Sequence, residues 1–297
     1  MAAPDIRGAF TALYTPFTAS GDVDVQALRL LCDRQLASGI GLVPCGTTGE
    51  TPTLDASEYD TVVRVAVSAA EGRVPVIAGT GSNNTRATIA ATRHARELGA
   101  DAALVVVPYY NKPPQVSLLA HFRAVADEGG LPVVLYNVPG RTGTNMNAET
   151  TLALSEHPNI VAIKEASANL DQMAAILSGA PEGFRVLSGD DAWTAPLMLL
   201  GGHGVVSVAG NVVPSQVAAL VDAAARGDLA MTRTIQAELL PLFERLFCTA
   251  NPIPVKRAAA MLEHALADVR LPLTADALTP TMAEGLHDAL SRALVVT

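Results

Sequence analysis

The stretch "NIVAIKEAS" (residues 159–167) joins the signature of a buried strand to a lysine that such a strand would normally exclude. Residues 160–163 form an apolar run rich in β-branched side chains, which predicts a strand covered on both faces. Lys164 follows without a polar spacer, although lysine is among the residues least often buried. The chain has only three lysines, the others being Lys112 and Lys256, so a lysine at this position needs a physical reason.

Seven further apolar runs of this kind occur along the chain, and a segment of helical periodicity follows each of the eight. The seven span residues 8–17, 41–46, 74–80, 102–108, 132–137, 184–189 and 204–209. Regular alternation of strand and helix predicts parallel strands joined by right-handed crossovers. Eight such units within about 210 residues favour an α/β fold of the (β/α)₈ TIM barrel type over an open doubly wound sheet.

Beyond residue 211 the apolar runs stop, and helical periodicity continues to the end of the chain. Four segments show 3.6-residue spacing, at residues 214–228, 229–247, 253–266 and 280–295. We therefore predict a catalytic barrel at residues 1–211 and a helical domain at residues 212–297. No low-complexity linker separates the two parts, so we expect the helical domain to pack on the barrel as a C-terminal extension.

The composition narrows the classes of function. The 297 residues are 49% hydrophobic and carry a formal net charge of −9 without a basic cluster, which argues against binding to nucleic acid or to an anionic membrane. No apolar run reaches the roughly 18 residues of a membrane-spanning helix. The start of the chain lacks a secretory pattern and the cysteines are few and scattered, so we expect a cytoplasmic protein. The six histidines form no metal-binding motif, which argues against metal-dependent aldol chemistry.

Polar residues are concentrated where the predicted strands end. "GTTGE" (46–50), "PYYNKPP" (108–114), "YNVPGRTG" (136–143) and "GDD" (189–191) lie at the ends of strands two, four, five and seven. In a TIM barrel the carboxyl ends of the strands and the loops after them carry the chemistry. We therefore expect these segments and Lys164 to face one mouth of the barrel.

A buried lysine is chemically useful because desolvation disfavours its ammonium form. The neutral amine can attack a ketone and form a Schiff base. The alternative is a structural ion pair, with Glu165 or Asp190 as the partner. Neighbouring strand residues point to opposite faces, which makes Glu165 a poor partner, but the residues alone leave both interpretations open.

The other polar residues at the mouth would suit a small keto acid. Thr47 and Thr48 can offer hydroxyl and backbone N–H groups to a carboxylate, and Arg141 can bind a second carboxylate through two hydrogen bonds. Tyr136 and Tyr110 can carry protons. Each residue also has a simpler explanation, namely an ordinary turn, a solvated surface arginine, or tyrosines that cap a core.

Taken together, the motifs of the chain resemble one enzyme family. They are "GTTGE", "VIAGTG", "VPYYN", "YNVPGRTG", "IKEAS", "SGDD", "GGHGVVSV" and "NPIPVK", in order along nearly the whole chain. This set is similar to the dihydrodipicolinate synthase family, within the N-acetylneuraminate lyase superfamily of pyruvate-dependent class I aldolases. The fold that the resemblance implies is a (β/α)₈ barrel with a C-terminal helical part, in agreement with the strand count.

The resemblance also implies a role for each residue of the mouth. Lys164 would form the imine with pyruvate, and Thr47 and Thr48 would hold the pyruvate carboxylate. Tyr136 would relay protons, linked through Thr47 to Tyr110. The tyrosine that matches Tyr110 reaches the neighbouring subunit's site in this family, which implies a tight dimer, usually within a homotetramer.

The implied reaction is a condensation of pyruvate with L-aspartate-4-semialdehyde, the first committed step of the diaminopimelate route to lysine. Arg141 matches the arginine that binds the carboxylate of the semialdehyde, and Val206 matches a residue whose carbonyl lines the site. No metal or organic cofactor is implied, because the lysine Schiff base is the electron sink. Two alternatives remain: another Schiff-base pyruvate lyase of the superfamily, acting on sialic acid or a 2-keto-3-deoxy sugar acid, and a barrel that binds without turnover.

The chain departs from the family at the pocket where inhibited members bind lysine. Asn83 and Tyr109 match this pocket, whereas the small, histidine and glutamate residues expected beside them are replaced by Thr51, Pro52, Ala56, Tyr59 and Ala87. Ala87 matters most, because it removes a carboxylate that could hold an amino group. We predict weak or absent feedback inhibition by lysine, measured on the steady-state rate. An inhibition constant in the sub-millimolar range would contradict this.

Overall fold

The fold is a ring of eight parallel strands surrounded by helices, as predicted. The computed structural model describes residues 4–296. The strands are β1 (Gly8–Ala12), β2 (Gly41–Val43), β3 (Ile77–Gly79), β4 (Ala102–Val106), β5 (Val133–Asn137), β6 (Ile160–Glu165), β7 (Arg185–Ser188) and β8 (Gly204–Ser207). Their spatial order is β2-β1-β8-β7-β6-β5-β4-β3. A parallel bridge from Leu42 to Val76 joins the two ends, so the sheet closes into a barrel.

Each of the eight predicted strands is confirmed, in most cases with narrower bounds. The run at 8–17 is a regular strand only to Ala12. Beyond it, Tyr14 N donates to the side chain of Asn211, and Phe17 forms an isolated antiparallel bridge with Val23. The run at 74–80 pairs regularly only from Ile77 to Gly79, and Pro75, which has no N–H to donate, accepts from Leu42 N.

Helices follow the strands and continue to the C-terminus. They are α1 (Val25–Ala37), α2 (Ala56–Ala70), α3 (Thr85–Glu97), α4 (Gln115–Glu128), α5 (Pro139–Thr142), α6 (Ala148–Ser155), α7 (Leu170–Gly179), α8 (Thr194–Leu199), α9 (Pro214–Ala225), α10 (Leu229–Arg245), α11 (Ile253–Met261) and α12 (Pro280–Ala293). A capping box formed by Asp55 and Glu58 starts α2. Among residues 4–296, no helix combines the length and apolarity needed to cross a bilayer.

The four C-terminal helices lie where the periodicity predicted them, but each ends before its predicted bound, and the third is shortened most. The segment at 253–266 is helical only to Met261, because Glu263 takes a left-handed backbone conformation and His264 N bonds back to Ala259 O. Helix α9 packs against β1 and β8. The predicted division between residues 211 and 212 stays a prediction.

The apolar core has two parts, one on each side of the barrel wall. The inner part includes Phe10, Val134, Ala162, Leu187 and Val206, and the larger outer part fills the space between barrel and helices. Strand side chains alternate between these two parts, so neither face of a strand meets water. This explains why the strands read as continuous apolar runs.

Gly79 makes the contact between β2 and β3 possible. A Cβ atom at this position would lie 1.9 Å from the backbone oxygen of Cys45, at the start of the turn that carries Thr47 and Thr48. Backbone atoms cannot rotate away as a side chain can. The glycine therefore allows β3 to approach the end of β2 and close the ring.

We predict that Gly79→Ala lowers the free energy of unfolding by about 1–3 kcal/mol, because the added methyl group forces the two backbones apart. Thermal and urea unfolding measure the change. Gly183→Ala is the matched control, since a Cβ there meets nothing within 4 Å. Equal stability of the two variants would contradict this account of barrel closure.

Candidate active site

Lys164 lies inside the barrel near the carboxyl end of β6. It stands beside Tyr136 on β5 and Leu187 on β7, so the three side chains share the inner face. Lys164 is 5% exposed, and its Nζ lies 4.3 Å from the centre of the Tyr136 ring. The prediction that the lysine points into the barrel from the strand end thus agrees with the structure.

The ion pairs considered for Lys164 do not form. None of the ion pairs within residues 4–296 includes this lysine. Asp190 instead accepts a hydrogen bond from Ala192 N at 3.0 Å. Glu165 points to the other side of the wall, as the alternation along a strand requires. The amine therefore has an aromatic face, and no carboxylate, as its close neighbour.

Glu165 forms a buried network behind the strand. Its carboxylate accepts hydrogen bonds from Ser167 N at 2.7 Å, from Gln172 Nε2 at 3.0 Å and from Asn137 Nδ2 at 3.1 and 3.2 Å. Burial raises the pKa of Glu165, and these donors act against the rise. Asn137 also accepts from Met146 N at 3.0 Å. The network thus ties the end of β6 to both ends of the loop that carries Arg141.

Gly189 leaves room for the lysine. A Cβ atom on this residue would lie 3.0 Å from Cγ and 3.1 Å from Cε of Lys164. Any larger residue at the end of β7 would press on the aliphatic stem and move the amine. The glycine of the "GDD" motif thus leaves the space that the Lys164 side chain occupies.

The "GTTGE" segment forms the turn after β2, and its threonines differ in burial. Thr47 is partly exposed and Thr48 is buried. Cys45 and Glu50, which flank the turn, have positive φ angles of 56° and 53°. Residues other than glycine rarely adopt this backbone conformation, and it persists only where the surrounding structure stabilises it. The surrounding structure therefore holds the backbone of this turn in one conformation.

Contacts from the C-terminal part, one of them from helix α11, hold this turn, and sequence reasoning missed them. Lys256 Nζ lies 2.5 Å from Glu50 Oε1, both side chains being buried, and Arg270 N donates to Glu50 Oε2 at 2.9 Å. Asn251 Nδ2 donates to Thr48 Oγ1 at 2.9 Å. The signal available in the sequence was the "NPIPVK" motif (251–256), which carried no assigned role.

The remaining predicted residues lie nearer the surface or in the wall. Val206 is buried on the inner face of β8, beside Phe10. Arg141 is exposed on the short helix α5. Tyr110 is 87% exposed, with a φ of 72°, on the loop after β4. The structure thus brings Lys164 and Tyr136 into contact, whereas Tyr110 stands outside the barrel interior.

Cys45, before the turn that carries the threonines, is a small buried side chain. Cys45 is 2% exposed, and burial raises the pKa of its thiol. A thiol held in its neutral form is a poor nucleophile. The lysine amine is therefore the better candidate nucleophile at this site.

Known proteins are similar to this chain in sequence and in fold. The 4-hydroxy-tetrahydrodipicolinate synthase of Thermomicrobium roseum is 49% identical over 287 residues, which are 96% of this chain and 94% of that protein. The dihydrodipicolinate synthase structure from Aquifex aeolicus is 45% identical, with a TM-score of 0.93 over 98% of this chain and 99% of its own. That of the Acinetobacter baumannii enzyme complexed with pyruvate is 40% identical, with a TM-score of 0.94 over 97% of this chain and 99% of its own. A model of the dihydrodipicolinate synthetase family matches residues 5–293, and the chain belongs to this family.

Proposed function

We propose that the protein condenses pyruvate with L-aspartate-4-semialdehyde and releases 4-hydroxy-tetrahydrodipicolinate, through a Schiff base on Lys164. One observation carries the proposal: in a chain of this family, the single lysine inside the barrel has no ion-pair partner among residues 4–296 and faces Tyr136. An amine in this setting is placed to meet a ketone that enters from the mouth of the barrel. The relatives of nearly full length with this activity support the same substrates.

The reaction begins when the neutral Lys164 amine attacks the pyruvate ketone and water leaves, giving the imine. Loss of a methyl proton converts the imine to an enamine, with the imine nitrogen as electron sink. The enamine carbon attacks the aldehyde carbon and forms the new C–C bond. The amine of the semialdehyde portion then displaces Lys164, which closes the ring and frees the enzyme. Since the lysine itself accepts the electrons, no cofactor takes part.

The other residues serve binding and proton transfer in this proposal. Tyr136 moves protons to and from the imine, connected through Thr47 to Tyr110. Thr47 and Thr48 bind the pyruvate carboxylate, and the carbonyl of Val206 lines the site. The contact of Lys164 with the Tyr136 ring supports the first of these roles.

Assembly and location belong to the same proposal. A tyrosine that is 87% exposed in a strained backbone conformation, as Tyr110 is, suits a contact with a second subunit. We therefore propose a homotetramer built from tight dimers, in which Tyr110 completes the neighbouring site. We further propose a cytoplasmic location, and a division of the chain into a barrel at 1–211 and a helical domain at 212–297.

We predict that Lys164→Ala abolishes condensation and leaves the fold intact, because only the nucleophile is lost. Reduction with borohydride in the presence of pyruvate, followed by intact mass, should label the wild type and not the variant. Lys112→Ala, at an exposed lysine, is the control and should still be labelled. Labelling of the folded Lys164→Ala protein would place the imine elsewhere and end the proposal.

We predict that Arg141→Ala raises the KM for the semialdehyde about tenfold to a hundredfold, as expected for a lost charged hydrogen bond. The KM for pyruvate should change much less, because pyruvate contacts the interior residues. Arg141→Lys should be intermediate, since it keeps the charge and loses the paired donors. A larger rise in the KM for pyruvate than in the KM for the semialdehyde would show that Arg141 binds pyruvate, which contradicts this proposal.

A further inference from the structure

The turn that carries Thr47 and Thr48 is joined to one short segment of the C-terminal part by two buried bonds. Asn251 bonds to Thr48, and five residues on, Lys256 bonds to Glu50, two residues beyond Thr48. Lys256 also lies 4.0 Å from the centre of the Phe17 ring. Since both bonds connect the same two segments, the turn and residues 251–256 form one rigid unit.

The bond between Asn251 and Thr48 has a direction. Asn251 Nδ2 is the donor and Thr48 Oγ1 the acceptor, and both residues are buried. A threonine hydroxyl has one proton and two lone pairs. When the asparagine amide occupies a lone pair, the hydroxyl proton is left to be donated elsewhere, and a carboxylate is an acceptor for it.

We propose that Asn251 is a positioning residue that fixes the Thr48 hydroxyl as a hydrogen-bond donor to the substrate carboxylate. The inference rests on the proposed function, in which Thr48 binds the pyruvate carboxylate. Asn251 acts through Thr48 and touches no reacting atom. Asn251 Oδ1 has no hydrogen-bond partner among residues 4–296, so the bond to Thr48 is the hydrogen bond that this side chain makes there.

The Lys256–Glu50 pair keeps Asn251 next to the turn that carries Thr48. Burial lowers the pKa of Lys256 to about 8, and the Glu50 charge acts against this by favouring the ammonium form. The two side chains are 0% and 2% exposed, so removing either would leave a buried charge without a partner. The pair thereby holds the turn in the conformation that presents Thr48 to Asn251.

The test uses Asn251→Asp and Asn251→Ala in the full-length enzyme. Aspartate has a similar size but only accepts hydrogen bonds, so it would capture the Thr48 proton and place a negative charge beside the substrate carboxylate. We expect the KM for pyruvate to rise at least about tenfold in Asn251→Asp and about threefold to tenfold in Asn251→Ala. The KM for the semialdehyde should change by less than about twofold.

A double-mutant cycle with Thr48→Val separates positioning from a general structural role. If Asn251 acts through the hydroxyl, Asn251→Ala should have no further effect on the pyruvate KM once the hydroxyl is absent. Gln236→Ala is the matched control, because Gln236 also joins the C-terminal part to the barrel, through Ala192 O and Ala195 N, away from this turn. It should leave the KM for pyruvate unchanged.

The results of these experiments distinguish failure of the proposed function from failure of the inference about Asn251. A wild type that is not labelled by pyruvate and borohydride would refute the proposed function, whatever Asn251 does. An active wild type with an unchanged pyruvate KM in Asn251→Asp would overturn the inference alone, since pyruvate binding would then not need the hydrogen bond that Asn251 donates to Thr48. Effects of Thr48→Val and Asn251→Ala that multiply in the double variant would also overturn it.

Discussion

The alternation of side chains along β6 is the constraint on which the site depends. Because neighbouring residues of a strand face opposite ways, Lys164 enters the barrel while Glu165 is buried behind the wall. The carboxylate that is closest in sequence is therefore kept from neutralising the amine. It instead binds Asn137, Ser167 and Gln172, which fixes the strand end from the outer side. One geometric rule thus places the amine inside the barrel and the carboxylate network behind the wall.

The two buried lysines of the chain show how surroundings decide the role of a charge. Lys256 meets the Glu50 carboxylate at 2.5 Å, and this pair holds the turn that carries Thr47 and Thr48. Lys164 has no such partner among residues 4–296 and lies over the Tyr136 ring. A paired buried lysine is structural, because its charge is matched. An unmatched one is available for chemistry.

Strained backbone is concentrated in the loops at the carboxyl ends of the strands. Cys45, Glu50, Tyr110, Lys112 and Ala168 have positive φ angles and lie after β2, β4 and β6. Each such residue costs about 1–3 kcal/mol and persists only where its surroundings hold it. For the turn after β2, contacts from the C-terminal part stabilise the backbone in this conformation. The helical part that follows the barrel is therefore a structural support of the mouth.

Strand periodicity, apolar runs and the motifs at strand ends determined the barrel, the position of Lys164 and the inward direction of Tyr136, because these depend on local order along the chain. The bonds from Asn251 to Thr48 and from Lys256 to Glu50 join residues about two hundred positions apart, so no local pattern could reveal them. The same holds for Gly79, whose role depends on the approach of Cys45. The sequence by itself determined which groups are candidates to carry the chemistry. Only the tertiary structure decided which groups hold them in place, since that depends on contacts between distant segments.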